Sequence, residues 1–143
     1  MAGPAYVVDS SVFASLVVKD EFYSRASEFL REKARLGLAT VDLALVEVAN
    51  ALWKHAYLLR RIPEGAYPAL KDCIKPLISS AASIYRSEEL LEEALDRALE
   101  LGLTVYDSLY VALALELGCR LATFDEVLVE RLEGAGLGLA VVP

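Results

Sequence analysis

Apolar residues along the chain come in two rhythms. Short unbroken runs alternate with longer stretches in which apolar positions recur every three or four residues. The short runs are Ala5–Val8, Leu38–Val41, Ser83–Tyr85, Arg120–Thr123 and Leu137–Val142. Each reads as a strand covered on both faces. Between them, helical periodicity predicts helices over about 11–18, 21–35, 43–59, 64–80, 88–101, 105–117 and 125–132. Gly37, Gly102 and Gly118 stand where three of these helices should stop. Asp42 stands where the third opens, Pro63 breaks the chain after it, and Pro76 should disturb the end of the fourth. Strands alternating with helices mean a parallel sheet with helices on both faces and right-handed crossovers. No linker, repeat or low-complexity tract interrupts the pattern, so one domain over residues 1–143 is expected.

Where a parallel sheet of this kind carries a site, it lies outside the carboxyl ends of the strands. Four carboxylates stand at such places. Asp9 follows the first strand, Asp125 follows Arg120–Thr123, Glu47 lies near the start of the third helix, and Asp107 heads the most apolar helix. Each also has a bland explanation. Asp9 can cap the helix after it. Thr104 with Asp107 makes a passable capping box. Thr123 with Glu126 makes a better one, leaving Asp125 as a partner of the helix dipole. Glu47 resists this treatment, because Val46, Val48 and Ala49 flank it and Leu43 and Ala51 lie one turn away. Together, the four acids repel one another and raise each other's proton affinity, which a hard divalent cation relieves. Oxygen ligands without His or Cys favour Mg²⁺ or Mn²⁺ over Zn²⁺. Mg²⁺ commonly completes its shell with water and phosphate oxygens. The pattern therefore points to metal-assisted chemistry on a phosphate.

Composition changes this picture in three ways. A formal net charge of −7 gives no general attraction for nucleic acid. Binding of that kind needs a local basic patch, for which Lys54, His55, Arg60, Arg61, Lys71 and Lys75 are the candidates, with no aromatic interleaving evident. The hydrophobic fraction of 56% exceeds the roughly 45–50% of an average soluble domain and suggests an apolar face kept for a partner, most simply a homodimer. Cys73 and Cys119 make no metal-ligand spacing and read as reduced thiols. The N-terminal stretch lacks a basic region ahead of its apolar run, and no run of about 18 apolar residues lacks a charge. The expectation is a cytoplasmic chain with no membrane association.

The order of the acidic motifs resembles that of the PIN-domain nucleases. Val8–Val12 resembles their first motif, Leu45–Leu52 the second, Thr104–Ala114 the third and Ala122–Leu128 the fourth. The resemblance implies a three-layer α/β/α sandwich with a central parallel sheet and Mg²⁺- or Mn²⁺-dependent cleavage of RNA. It implies metal ligation and catalysis by Asp9, Glu47, Asp107 and Asp125, with Thr123 orienting a carboxylate or a water. Free-standing members of this length resemble toxins of the VapC type, each paired with a small antitoxin. The rival from another class is a binding module that keeps the fold without turnover. Acid–base cleavage by paired histidines is set aside, because His55 is the only histidine. A phospho-receiver domain is set aside too. Asp9 is followed by two serines, and no lysine follows Lys75.

Overall fold

The computed structural model describes residues 3–143. Met1 and Ala2, the start of the expected domain, lie outside the described residues. Five strands form one sheet: β1 (Tyr6–Val8), β2 (Leu38–Val41), β3 (Ser83–Tyr85), β4 (Arg120–Ala122) and β5 (Ala140–Val141). All neighbours are parallel, in the order β3-β2-β1-β4-β5. The chain winds outward from β1 through β2 to β3, then returns to the other side of β1 as β4. The direction of winding therefore reverses between β1 and β4, the place where such sheets open a crevice.

The helices are α1 (Ser10–Val18), α2 (Tyr23–Lys33), α3 (Leu43–Trp53), α4 (Tyr67–Ala81), α5 (Ser87–Leu101), α6 (Val105–Leu117) and α7 (Glu126–Gly134). Helices α1, α3 and α4 pack on one another. Helix α6 lies along β1, β2 and β4 and carries α5 on its outer side. Every residue of α6 from Ser108 to Ala114 is buried. A fully buried Val or Leu contributes about 1.5–3 kcal/mol, so Leu109, Val111 and Leu113 firmly anchor the helix whose first turn carries Asp107. The layered α/β/α architecture implied by the motifs is the one observed.

Three elements depart from the expected boundaries. The third helix does not run as one α-helix to residue 59. It widens into a π-helix over Lys54–Leu58, with the Leu59 amide donating to the Lys54 carbonyl. The fourth starts later than expected, at Tyr67 behind a 3₁₀ turn over Glu64–Ala66, and reaches Ala81 without the expected disturbance at Pro76. Pro76 is exposed, so the carbonyl it leaves without a donor faces water. The last strand shrinks to two residues, because Gly136 and Gly138 adopt positive φ (73° and 59°) and keep the preceding chain out of the sheet. Asp42 also behaves differently. Its side chain does not cap α3; its Oδ1 accepts instead from the amide of Ser87, the first residue of α5.

Candidate active site

The end of β1 meets the end of β4 through backbone pairing. Val8 stands opposite Ala122, and the Asp9 amide donates to the Ala122 carbonyl at 3.0 Å. Buried Thr40 on β2 donates its hydroxyl to the Val8 carbonyl at 2.7 Å, fixing the same corner from the other side. Asp9 therefore leaves the sheet at the reversal point, almost wholly buried. Its side chain makes no capping bond to α1. Asp9 Oδ2 accepts from Thr123 Oγ1 at 2.6 Å and from Ser11 Oγ at 2.8 Å. The two hydroxyls are themselves oriented. The Asp125 amide donates to Thr123 Oγ1, and the Phe124 amide donates to Ser11 Oγ, each at 3.0 Å. The β4–α7 loop thus holds the Asp9 carboxylate through two relays. Phe124 is in turn clamped by a stack on Phe22, with centroids 4.5 Å apart and Arg25 over both rings.

Thr123 is therefore not the cap of α7. Asp125 is, with Oδ1 accepting from the Val127 and Leu128 amides. The box expected between Thr123 and Glu126 is replaced because the threonine hydroxyl is committed to Asp9. Thr104 does cap α6, accepting from the Asp107 amide at 3.2 Å. That bond uses the Asp107 backbone; the same hydroxyl also lowers the proton affinity of the Asp107 carboxylate, by less than burial and the neighbouring acids raise it.

Glu47 sits half-buried in α3, and the phenol of Tyr110 on α6 donates to its Oε1 at 2.6 Å. Tyr110 is fully buried. Burial and the charges of Asp9 and Glu47 hold its phenol far above its ordinary proton affinity, so it is a permanent donor. Neither Tyr110 nor Ser11 was singled out from the sequence. A signal existed for Tyr110, since a tyrosine inside an otherwise aliphatic buried helix needs a partner for its hydroxyl.

The four acids feel one another. Burial raises the Asp9 carboxyl above its ordinary range, and Asp125 adds to it. Burial, then Asp9, raises Glu47. Asp107 rises from 3.8 to about 6, through burial first and then through Asp9, Asp125 and Glu47. Among the described residues the ion pairs are Arg86 with Glu88 and Glu89, and Arg97 with Glu93 and Glu100, so no cation neutralises the four. Nor do three of these carboxylates converge into a finished cage, among the described residues. The arrangement is a ring of uncompensated negative charge with two members, Asp9 and Glu47, locked by hydroxyl donors.

A family model for the PIN domain matches residues 6–133. The chain belongs to the PIN-domain family. This PIN domain is 39% identical over 127 residues to Ribonuclease VapC3 of Pyrobaculum aerophilum, a match spanning 87% of this chain and 92% of that protein. Among solved structures it is similar to PAE2754 from Pyrobaculum aerophilum, with a TM-score of 0.70 and 27% identity over 97% of this chain and 83% of that one. It is also similar to Mycobacterium tuberculosis VapC20, a sarcin–ricin loop cleaving toxin. There the TM-score is 0.66 and the identity 20%, over 88% of this chain and 94% of that one. At that identity the likeness speaks for the fold alone. The corner where β1 meets β4 lies within the part of the PIN domain that the family model covers.

Proposed function

We propose that this PIN domain is an endoribonuclease that hydrolyses RNA phosphodiester bonds with the help of Mg²⁺ or Mn²⁺, and that it is the toxin of a toxin–antitoxin pair. The observation that carries the reading is the uncompensated ring of Asp9, Glu47, Asp107 and Asp125 at the β1–β4 reversal, in a chain 39% identical to a ribonuclease over nearly its whole length. The donor set fits a hard divalent cation: all oxygen, all acidic, with the proton affinities of Asp9, Glu47 and Asp107 raised in a way that a cation reverses. An open cluster suits an ion that keeps several waters and takes phosphate oxygens as further ligands. When bound, such an ion supplies charge neutralisation at the scissile phosphate and acidifies water.

The residues of the chain do the rest. Ser11 and Thr123 hold Asp9 in one orientation, and Tyr110 holds Glu47, so both carboxylates are pre-positioned. Asp107, its carboxyl pushed up to about 6 by burial and by Asp9, Asp125 and Glu47, is the member of the ring whose charge a cation relieves most directly. Asp125 commits one oxygen to the α7 cap and leaves the other for the site. The test is incubation of the purified protein with single-stranded RNA and Mn²⁺, with and without EDTA. The expected products carry 5′-phosphates; ends with 2′,3′-cyclic phosphate would refute attack by water. No cleavage at all would favour a non-catalytic binding module.

The toxin reading brings a small antitoxin whose helix lies in a groove of this chain, a homodimer, and a cytoplasmic location. Apolar surface for partners exists. Leu91, Leu95 and Leu99 succeed one another at four-residue spacing on α5, each at least half exposed. Among the described residues no single helix is long and apolar enough to cross a membrane. Sedimentation tests the dimer, and a short neighbouring reading frame whose product co-purifies with this chain tests the antitoxin.

A further inference from the structure

A second feature lies on the helix that carries Glu47. Trp53 and Tyr57 stack on each other with ring centroids 5.7 Å apart and an interplanar angle of 15°. Both rings are exposed, Trp53 at 50% and Tyr57 at 58%. They sit where α3 widens into its π-helical turn, a distortion often found at functional sites. The chain then turns back through Arg60, whose left-handed backbone (φ 54°) brings its guanidinium 5.2 Å from the centre of the Tyr57 ring. An open groove of about 450 Å³ runs beside α3 from Leu43 past Glu47 to Lys54, the neighbour of Trp53, with Tyr106, the neighbour of Asp107, also lining it. Six residues of helix separate Glu47 from Trp53, about 9 Å along the axis.

The charge of this segment is the reverse of the chain's. Residues 48–82 carry five Lys and Arg against Glu64 and Asp72, in a protein whose net charge is −7. Exposed aromatic rings flanked by cations, beside a groove that leads to a phosphate-directed site, are the parts of a platform for unpaired bases. The rings take the bases and the cations follow the backbone. A docked protein helix would explain the apolar rings. It would not explain why a segment of reversed charge in an acidic chain coincides with them.

We propose that Trp53 and Tyr57, with Lys54 and Arg60, form a stacking platform that holds single-stranded RNA on one side of the scissile phosphate. The proposal rests on the ribonuclease reading and adds to it the residues that seat the strand beside the site.

Trp53 is the only tryptophan, so its emission reports directly on the platform. The experiment titrates the full chain in EDTA, where turnover stops, with a twelve-nucleotide single-stranded RNA and with the same sequence as a duplex. Steady-state cleavage of the single strand is then measured in Mn²⁺ for the wild type, Trp53→Ala, Trp53→Phe and Tyr57→Ala. The single strand should quench Trp53 saturably and the duplex far less. Trp53→Ala and Tyr57→Ala should each raise KM by about 5- to 100-fold, the range for losing one base stack, with a smaller effect on kcat. Trp53→Phe should recover part of the loss. Because both side chains are exposed, circular dichroism should show folded variants. The proposal is overturned by a wild type that cleaves RNA while its emission and the variants' KM ignore single strands. It is equally overturned if the substitutions change the oligomeric state and leave KM alone, which would assign the face to a protein partner. A wild type inert towards RNA in Mn²⁺ refutes instead the nuclease reading beneath it.

Discussion

Asp107 separates the two roles a carboxylate can have at the head of α6. In the folded metal-free protein its proton affinity rises from 3.8 to about 6, through burial and three neighbouring acids. The sign follows from linkage. The folded state holds the proton more tightly than the unfolded chain, so stability falls as pH rises from about 4 to about 6, and the whole penalty is present above that. Taken at face value the difference corresponds to about 3 kcal/mol. Asp107 is only half-buried, however, and water and salt screen much of the repulsion, leaving about 1 kcal/mol, within 0.5–2. Replacing Asp107 by Asn removes this penalty and keeps the shape. It also removes a favourable charge from the first turn of a helix, a loss of about 0.3–1 kcal/mol. The Thr104 cap survives, because it receives the backbone amide.

The assay is urea unfolding of wild type and Asp107→Asn in EDTA at pH 4 and pH 7.5, paired with RNA cleavage in Mn²⁺. Relative to the wild type, the variant should gain about 1 kcal/mol on going from pH 4 to pH 7.5. At pH 7.5 it should be at least as stable, and its cleavage should fall by orders of magnitude. A variant that is destabilised at neutral pH yet cleaves RNA at the wild-type rate would refute the reasoning and leave helix capping as the main role of Asp107.

Thr123→Val removes a 2.6 Å donor from a buried carboxylate; it should cost about 1–3 kcal/mol and move the rise of the cleavage pH profile to higher pH, since the Thr123 bond lowers the proton affinity of Asp9, while Thr123→Ser should restore both. Tyr110→Phe leaves Glu47 without its donor. Manganese affinity measured by calorimetry should drop about 10- to 100-fold, and an unchanged affinity would show that the phenol only fills space. Gly102→Ala should destabilise by about 1 kcal/mol or more in thermal unfolding. The residue has φ 68°, and an added Cβ would lie 2.7 Å from the Arg131 Nη1 that donates to its carbonyl.

The strands and helices were legible because each buries a contiguous or periodic apolar set, and such patterns have few other solutions. What escaped depended on where single residues face. That Pro76 leaves the end of α4 undisturbed turns on the exposure of one carbonyl. The widening of α3 at Lys54 has no periodic signature in KHAYL. The same division holds at the site. The acids stood out because a carboxylate at the end of an apolar element is conspicuous in one dimension. Ser11 and Tyr110 did not, because their meaning lies in what they touch across 112 and 63 residues of chain. The pairing of Trp53 with Tyr57 was missed for a plainer reason. The two lie four apart and share a helix face, but the intervening Lys54 and His55 read as an ordinary solvated surface.

The openness of the carboxylate ring has a physical logic on the proposed reading. Four acids drawn into a tight cage before any cation arrives would each carry the penalty seen at Asp107, added to the cost of burying Asp9. A domain of this size has only about 5–15 kcal/mol of stability to set against it. Locking two carboxylates with neutral hydroxyl donors avoids most of that repulsion. Each donor stabilises the charge it touches without bringing a competing cation into the site. Asp125 is tied by one oxygen to α7, and Asp107 has only the Thr104 hydroxyl to set against its three acidic neighbours. The remaining approach is then left to the binding event, in which an ion and a phosphate supply the missing charge and ligands together. On this argument the hydroxyls of Ser11, Thr123 and Tyr110 are what hold Asp9 and Glu47 in place while the cluster stays open.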